Sequence, residues 1–229
     1  MGYGKINIIK NVEKMRRIIS KLLAIIKKRK FTTSGDYWEN RYKKGGNSGA
    51  GSYNRLAEFK AEIINNFALE HNISSVIEFG CGDGNNLKLF TFASYIGYDV
   101  SNTVLDICKN IYEGDKTKKF IHASNYQGET AEISLSLDVI YHLIEDDVFE
   151  QYMNLLFSSS HKFVIIYSSN TESLSPASHI RHRKFSDWIE KERSDFFLLE
   201  FVPNKYPFVE GDSNTSFAEF YIYEKKKVC

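Results

Sequence analysis

The chain has 229 residues, of which 42% are apolar and 14% aromatic, and it carries a formal net charge of +1. These values are typical of a globular protein with a sizeable core, and they exclude the intrinsically disordered class. The three cysteines, Cys81, Cys108 and Cys229, are odd in number and widely spaced, so the sequence predicts neither a disulfide framework nor a zinc site. No apolar run reaches membrane-spanning length and no signal peptide is recognised, which predicts a cytoplasmic protein.

Basic residues are concentrated near the N-terminus. Residues 5–30 hold ten Lys or Arg and one acid, Glu13, so this arm carries +9 and the remainder of the chain is near −8. Within residues 5–29 apolar side chains recur every three or four positions, which predicts an amphipathic helix with a basic opposite face. Packing on its own chain, contact with a partner helix and peripheral docking at the inner face of a membrane all remain open.

An aromatic segment and a glycine-rich segment follow. Residues 37–42 read Tyr-Trp-Glu-Asn-Arg-Tyr, and residues 43–52 are mostly Lys, Gly, Asn and Ser. A dense aromatic patch before a flexible loop predicts a lid over a binding site, with a linker between arm and body as the alternative. We therefore divide the chain into an N-terminal region, residues 1–54, and a main domain, residues 55–229.

The main domain alternates helical and apolar strand patterns. Helices are predicted over residues 54–70, 102–112 and 147–159, and a short helix around Trp188 has Ser186 as its N-cap. Strands are predicted over residues 75–79, 95–99, 119–123, 133–140, 162–167, 196–202 and 217–223. Because no helix separates the last two strands, they should pair antiparallel. The pattern predicts an α/β fold: a Rossmann-like, doubly wound, mostly parallel seven-stranded sheet with an antiparallel last strand.

Three glycines at alternate positions, Gly80, Gly82 and Gly84, follow the first predicted strand and precede helix-like residues from Leu87. Such a turn exposes backbone N–H groups at a helix N-terminus, where a ligand can bind. A dinucleotide fingerprint has its third glycine five residues after the first, whereas here the interval is four. Glu78, just before the turn, would repel a pyrophosphate and suits a cationic amino-acid group. Spacing and charge therefore favour S-adenosylmethionine over NAD.

Asp99 ends the next predicted strand, 19 residues beyond Gly80. Ligands of doubly wound sheets bind beyond the carboxyl ends of the parallel strands, and a carboxylate there can accept both hydroxyls of a ribose. The alternative is that Asp99 merely caps the helix that follows.

From about residue 55 to residue 229 the sequence resembles the class I S-adenosylmethionine-dependent methyltransferases. The resemblance lies in residues 78–84 (EFGCGDG), 97–101 (GYDVS) and 136–143 (SLDVIYHL), in this order and spacing. It implies that the methionine end of the cofactor contacts Glu78 and Gly80, that the ribose lies on Asp99, and that S-adenosyl-L-homocysteine is the product. The adenine would lie near Ser124 and Asn125, although residues 122–125 lack the carboxylate that many members place there. We assign cofactor binding to Trp38, Arg41, Glu78, Gly80, Cys81, Gly82, Asn85, Asn86, Asp99, Val100, Ser101, Ser124, Asn125 and Asp138.

Tyr141 and His142 follow the fourth predicted strand, where the acceptor should arrive, and are the candidate catalytic residues. His142 is a candidate general base for a hydroxyl, or else it hydrogen-bonds within its loop and only positions the substrate. We predict no metal. Enzymes that methylate the amino groups of bases carry an Asn/Asp-Pro-Pro-aromatic turn at this place, which the sequence lacks. Together with the acidic body, this disfavours nucleic acid as the acceptor.

Residues 179–185 (HIRHRKF) form a compact basic segment after the fifth predicted strand. Two arginines among histidines suit a phosphate or carboxylate, and a solvated basic loop is the alternative. We assign substrate binding to Tyr37, Ser52, Tyr53, His179, Arg181, His182, Arg183 and Tyr206.

A narrower resemblance, to bacterial methyltransferases of surface-polysaccharide biosynthesis, involves residues 37–42, the Gly/Ser loop, and residues 138–146 and 179–188. That group includes enzymes proposed to make the capsular O-methyl phosphoramidate group. The resemblance implies O-methylation of a small anionic precursor that is phosphorylated, a phosphoramidate or nucleotide-linked. Another small-molecule or sugar acceptor, an NAD-dependent oxidoreductase and a non-catalytic scaffold are the alternatives.

Overall fold

The computed structural model describes residues 33–227, and the predicted amphipathic helix of residues 5–29 lies outside them. Seven strands form one sheet. They are β1 (Ser75–Phe79), β2 (Ser94–Asp99), β3 (Lys118–His122), β4 (Ala131–Leu137), β5 (Ser160–Ser168), β6 (Phe196–Val202) and β7 (Glu219–Lys225). Their order in the sheet is β3-β2-β1-β4-β5-β7-β6. β1 to β5 are parallel, and β7 is antiparallel to both β5 and β6. The predicted fold class is confirmed.

Helices cover both faces of this sheet. They are α1 (Ser34–Lys43), α2 (Asn54–Glu70), α3 (Asn102–Ile111), α4 (Asp146–Ser158) and α5 (Phe185–Glu192). One buried cluster joins α2 and α3 to one face of the sheet, and a second joins α4 and α5 to the other. No helix within residues 33–227 is long and apolar enough to cross a membrane.

Several predicted boundaries shift by one or two residues, and three predictions fail by more than such a shift. The helix expected from Leu87 is a single 3₁₀ turn, Asn86–Leu89, because only four residues remain before β2 begins at Ser94. The fourth strand ends at Leu137, since Asp138 adopts a left-handed backbone with φ of 60° and breaks the ladder. Helix α5 begins at Phe185, so Ser186 is not its N-cap; the Ser186 N–H instead donates to the Asn170 side chain at 3.2 Å.

The segment predicted as a lid contains α1 and a loop that packs on the domain that follows. Tyr42 and Ser52 are buried, and the loop hydrogen-bonds to the turn after β1. The predicted division of the chain after residue 54 stays a prediction.

Candidate active site

A cavity of about 320 Å³ lies at the carboxyl ends of β1, β2 and β4 and is covered by α1. This is the place at which ligands bind in doubly wound sheets. Eleven of the residues assigned from the sequence line it: Trp38, Ser52, Gly80, Cys81, Gly82, Asn86, Asp99, Val100, Ser124, Asp138 and His142. The other assigned residues are not in its wall: Tyr37, Arg41, Tyr53, Glu78, Asn85, Ser101, Asn125, Tyr141, His179, Arg181, His182, Arg183 and Tyr206.

The glycine turn forms the floor of this cavity. Gly80 has φ of 84°, and a Cβ there would collide with the Val139 side chain. Gly82 has φ of 55°, and a Cβ there would collide with Ser48 of the loop above. Both positions therefore require glycine for backbone geometry and for space. The N–H groups of Gly80 and Cys81 donate to the Tyr98 carbonyl and that of Gly82 donates to Asp99, so the expectation that this turn exposes free N–H groups to a ligand is wrong.

Asp99 lies at the end of β2 and is 93% buried, with 7% of its surface exposed. Its Oδ1 accepts the Ser101 N–H and its Oδ2 accepts the Gly82 N–H, both at 3.0 Å. Burial raises the pKa of Asp99 to about 6, against the lowering effect of these N–H donors. Each carboxylate oxygen keeps a further lone pair for a ligand hydroxyl. The cap of α3 is Ser101, whose Oγ accepts the Val104 N–H at 3.2 Å, so Asp99 is not the helix cap.

Glu78 is also buried but does not line the cavity. The Tyr95 hydroxyl donates a hydrogen bond to its carboxylate. Burial raises the pKa of Glu78 to about 7, although the Tyr95 hydrogen bond and the Lys60 charge oppose the shift. In this arrangement Glu78 lies beneath the glycine turn, and its expected contact with the amino end of a cofactor stays a prediction.

Helix α1 lines the cavity with one face. Ser34, Trp38 and Tyr42, spaced at four-residue intervals, face the cavity. At the N-terminus of the helix, the Ser34 N–H and Oγ donate to the Glu145 carboxylate at 2.9 and 2.5 Å. These bonds tie α1 to the residue that precedes α4.

Glu39 ties the same helix to α3. Its carboxylate accepts hydrogen bonds from the Ser101 Oγ at 2.6 Å and the Thr103 Oγ1 at 3.0 Å, and Lys43 lies 3.0 Å away. The Ser101 hydrogen bond is the main cause that lowers the pKa of Glu39 to about 2. Ser101 therefore binds helix α1 through Glu39 and does not line the cavity.

The loop after α1 is fastened to the glycine turn through Asp83. The Asp83 Oδ2 accepts the Ser48 N–H at 2.9 Å and the Tyr53 hydroxyl at 2.7 Å, and the Asp83 N–H donates to the Ser48 Oγ at 2.8 Å. Asn85 adds a bond from its Nδ2 to the Ser52 carbonyl at 2.7 Å. Tyr53 and Asn85 thus hold the loop in place, and their assigned ligand contacts stay predictions.

Two polar side chains complete the cavity wall near this loop. Asn86 is 8% exposed, and its Oδ1 has no hydrogen-bond partner within residues 33–227. Asp138 accepts the Lys60 Nζ at 2.6 Å and the Tyr141 hydroxyl at 2.8 Å. Sequence reasoning missed Lys60. The signal was a charged residue on the apolar stripe of α2, four residues from both Leu56 and Ile64.

His142 projects from the 3₁₀ turn Ile140–His142 into the cavity wall. Its Nδ1 lies 2.9 Å from the His179 carbonyl oxygen; because a carbonyl only accepts, Nδ1 carries the proton and Nε2 has the lone pair. Burial lowers the pKa of His142 to about 4, so the ring is neutral at neutral pH. The ring meets Trp38 edge-on at 4.9 Å and stacks on His179 at 5.6 Å, and His179 stacks on Tyr37 at 4.6 Å.

Arg181 and Arg183 differ from the expectation of an anion-binding pair at the acceptor rim. Both guanidiniums contact the Asp146 Oδ1, at 3.0 and 2.6 Å, and both donate to the Ile144 carbonyl, at 2.8 and 3.0 Å. Arg183 also lies over the Phe149 ring at 4.7 Å. These bonds fasten the loop before α5 to the start of α4, and neither arginine lines the cavity.

The remaining assigned residues lie around the site. His182 bonds to the Ser169 Oγ at 2.7 Å, and Tyr206 lies under the Arg55 guanidinium at 4.4 Å. Arg41 bonds to the Asn47 carbonyl at 2.6 Å and lies 5.6 Å from the Trp38 ring centre. Asn125 is exposed at the end of a 3₁₀ turn. Within the described residues no group of His, Cys, Asp or Glu is arranged to hold a metal ion.

Solved structures share this fold. Magnesium protoporphyrin IX methyltransferase from Synechocystis, with bound S-adenosyl-L-homocysteine, is 14% identical with a TM-score of 0.58, over 75% of this chain and 85% of its own. The N-methyltransferase NodS from Bradyrhizobium japonicum, also bound to S-adenosyl-L-homocysteine, is 10% identical with a TM-score of 0.61, over 75% and 88%. The small RNA methyltransferase HEN1 is 17% identical with a TM-score of 0.58, over 77% of this chain and 26% of its own.

No protein-family model matches the chain, and a search of curated proteins finds no match. The identities to these structures are low, and what they share with this chain is the fold. The chain has the Rossmann-like fold of the S-adenosylmethionine-dependent methyltransferases.

Proposed function

We propose that the protein is an S-adenosylmethionine-dependent methyltransferase. The observation that carries the proposal is a cavity at the carboxyl ends of the parallel strands, in which the Asp99 carboxylate lies beside a turn whose glycines add no side chain. Asp99 suits a ribose, and the unpartnered Asn86 Oδ1 is an acceptor for a donor group of the ligand. Structures with this fold are known with S-adenosyl-L-homocysteine bound, which supports the same cofactor here.

The bound cofactor would supply an electrophilic methyl group on a sulfonium, and the chain would orient the acceptor in line with it. His142 offers a neutral Nε2 lone pair at the cavity wall. Because the pKa of His142 is held at about 4, this nitrogen is a weak base at neutral pH. It is therefore better suited to orienting an acceptor, or to accepting a hydrogen bond from it, than to removing a proton from an ordinary hydroxyl.

We further propose that the acceptor is small and anionic: a phosphorylated, phosphoramidate or nucleotide-linked precursor of a bacterial capsule or surface polysaccharide. An oxygen that is already ionised needs no strong base, which agrees with the weak basicity of His142. Arg41 supplies a positive charge near the acceptor side, since its charge contributes to lowering the pKa of both His142 and His179. Arg41 forms no ion pair with a carboxylate within residues 33–227.

Cofactor binding is tested first. The unfolding temperature of the full chain is measured with S-adenosyl-L-homocysteine, with NADH and with neither. We expect the unfolding temperature to rise with S-adenosyl-L-homocysteine and not with NADH, and to rise less for the Asp99→Asn variant at the same ligand concentration. Stabilisation by NADH instead would contradict the proposal and favour an oxidoreductase.

Methyl transfer is tested with S-adenosylmethionine labelled in the methyl group. The acceptor panel holds nucleotide-linked sugars and phosphoramidates, the matched sugars without phosphorus, and a small RNA. We expect label on an anionic small molecule only, because the described residues carry a net charge near −8 that disfavours nucleic acid. Label on a neutral sugar would contradict the proposal of an anionic acceptor but would still agree with a methyltransferase. Binding of the cofactor without transfer to any acceptor would favour a non-catalytic scaffold.

A cytoplasmic location, with residues 5–29 at the inner face of the membrane or on a partner helix, belongs to the same proposal. It rests on the basic, amphipathic sequence of that segment. Co-sedimentation of the full chain with anionic and neutral vesicles tests it. Equal sedimentation with both would argue against an electrostatic membrane contact.

A further inference from the structure

Lys60 is the one lysine among the fully buried side chains of the described residues. It lies on the inner face of α2, with its Nζ 2.6 Å from the Asp138 Oδ2 and 5.3 Å from the centre of the Tyr167 ring. A buried ammonium without a partner is strongly unfavourable. Lys60 and Asp138 therefore form one unit, and Asp138 lines the cofactor cavity whereas Lys60 does not.

Asp138 has a backbone conformation that needs such support. Its φ of 60° is in the left-handed region, which a residue other than glycine adopts only when the surroundings hold it there. Its N–H donates to the Tyr167 carbonyl at 2.9 Å, and its Oδ1 accepts the Tyr141 hydroxyl at 2.8 Å. Lys60 donates to the other carboxylate oxygen, so Asp138 is held by three elements: strand β5, the 3₁₀ turn Ile140–His142 and helix α2.

The turn that Asp138 begins places His142. The chain leaves β4 at Leu137, reverses through Asp138 and enters the 3₁₀ turn Ile140–His142, in which the His142 N–H donates to the Val139 carbonyl at 2.8 Å. A different backbone direction at Asp138 would move the imidazole with the turn. The link between Lys60 and His142 therefore runs through a single short segment.

The loop above the cavity rests on the same carboxylate. A Cβ at Gly51 would lie 2.8 Å from the Asp138 Oδ2, so this part of the loop sits directly on Asp138. The adjoining Ser52 lines the cavity. A shift of the Asp138 side chain would thus also displace the loop that closes the site.

We propose that Lys60 is a positioning residue for cofactor and acceptor binding: by holding the Asp138 carboxylate, it fixes both the turn that carries His142 and the seat of residues 50–52. This inference rests on the proposed function, since it concerns the same cavity. The competing role is an ion pair that only stabilises the fold. The two roles differ in what happens to His142 and to ligand affinity in protein that is still folded.

The test uses the full chain with Lys60→Met, which keeps an unbranched side chain, one atom shorter, and removes the charge. Lys60→Gln is the second variant, because it retains a hydrogen-bond donor for Asp138 and folds more readily. Lys162→Met is the matched control: it removes a lysine that also lies 2.6 Å from a carboxylate, Glu132, at the other end of β4. Binding of S-adenosyl-L-homocysteine is measured by calorimetry, and the ring resonance of His142 by NMR on ligand-free protein.

We expect Lys60→Met to weaken binding about tenfold and Lys60→Gln by less, with control binding unchanged. We also expect the His142 resonance, assigned from a His142→Gln spectrum, to shift in both Lys60 variants and to stay in place in the control. Folded Lys60→Met protein with an unshifted His142 resonance and affinity within about twofold of the original would overturn the proposal.

If neither Lys60 variant folds, the pair is a requirement of the fold and the positioning role is also overturned. Failure of the unmodified protein to bind S-adenosyl-L-homocysteine would contradict the proposed function instead. In that case the His142 resonance of the ligand-free variants still decides between a positioning role and a purely structural one.

Discussion

The two sides of the cavity use their charged groups differently. On the cofactor side, the Asp99 carboxylate binds two backbone N–H groups and faces the cavity. On the proposed acceptor side, Arg181 and Arg183 bind Asp146 and backbone carbonyls and do not line the cavity. A backbone N–H takes one lone pair of a carboxylate oxygen and leaves another for a ligand, whereas the Asp146 carboxylate, shared by both guanidiniums, offsets one of their two positive charges.

This difference indicates under which conditions a charged sequence motif predicts a ligand-binding site. The direction of Asp99 follows from the end of its strand and from the turn beside it, both of which are local features. The direction of the two arginines depends on Asp146, a partner 37 residues from Arg183 along the chain. A cluster of cations therefore indicates an anion site only after its internal partners are known.

The largest expected effect on cofactor binding comes from placing a side chain in the glycine turn. Gly80→Val would place a branched side chain at φ of 84°, against Val139. We expect loss of S-adenosyl-L-homocysteine binding by more than about 100-fold and a fall in the free energy of unfolding of about 2–4 kcal/mol. Calorimetry and urea unfolding measure the two effects.

Gly128→Ala is the matched control for that variant. Gly128 also has a positive φ, 96°, but nothing lies within 4 Å of a Cβ there. We expect a loss of stability of about 1 kcal/mol and no change in affinity. If Gly80→Val kept its affinity, the turn would not be the floor of a cofactor site.

The next effect concerns the carboxylate itself. Asp99→Asn replaces a charged acceptor of ligand hydroxyls by a neutral amide, so we expect affinity for S-adenosyl-L-homocysteine to fall about 30- to 100-fold. Glu78→Gln should have a smaller effect, because Glu78 is held by Tyr95 outside the cavity wall. Calorimetry on both variants ranks them. A larger loss for Glu78→Gln would indicate that Glu78 turns toward the bound ligand.

The pH dependence of S-adenosyl-L-homocysteine binding also tests the role of the Asp99 carboxylate. Because burial raises the pKa of Asp99 from 3.8 to about 6, the group loses its charge in the folded protein as the pH falls through about 6. A ligand that needs the ionised form should bind more weakly there, by up to about tenfold for each further pH unit. Titration calorimetry across this range should show the step, and Asp99→Asn should lack it. A step retained in that variant would assign the titration to another group.

The sign for folding is opposite to the sign for binding. A raised pKa means that folded Asp99 binds protons which the unfolded chain has released, so its contribution to stability is present at low pH and is lost between about pH 4 and 6. Glu78, with a pKa raised to about 7, likewise makes the folded protein less stable as the pH rises towards 7. His142, with a pKa lowered from 6.5 to about 4, has the opposite effect on stability. Because these contributions oppose one another, the binding titration isolates Asp99 better than a stability curve.

Local sequence patterns were sufficient for the sheet, for helix α2 and for the place of Asp99. They were not sufficient where partners are distant in sequence. Lys60 and Asp138 are 78 residues apart, and no sequence pattern near Asp138 predicts its left-handed backbone. The helix expected from Leu87 failed for a related reason: the residues favour a helix, but β2 begins too soon to leave room for one.

The smallest predicted effects lie on the acceptor side and test whether its arginines are structural. The Arg183 side chain is 11% exposed and donates to the buried Leu143 carbonyl and to Ile144, whereas that of Arg181 is 45% exposed. We expect Arg183→Met to lower the free energy of unfolding by about 1–2 kcal/mol, and Arg181→Met by about 0.5 kcal/mol or less. Urea unfolding separates these values.

Neither substitution should change the affinity for S-adenosyl-L-homocysteine, since neither side chain reaches the cavity. The acceptor gives the sharper measurement once one is identified from the panel. If Arg181 and Arg183 only fasten the loop, KM for an anionic acceptor should be unchanged in Arg181→Met, whereas Arg41→Met should raise it. A rise in KM with Arg181→Met alone would mean that this guanidinium exchanges Asp146 for the acceptor, and the two sides of the cavity would then differ less than this structure indicates.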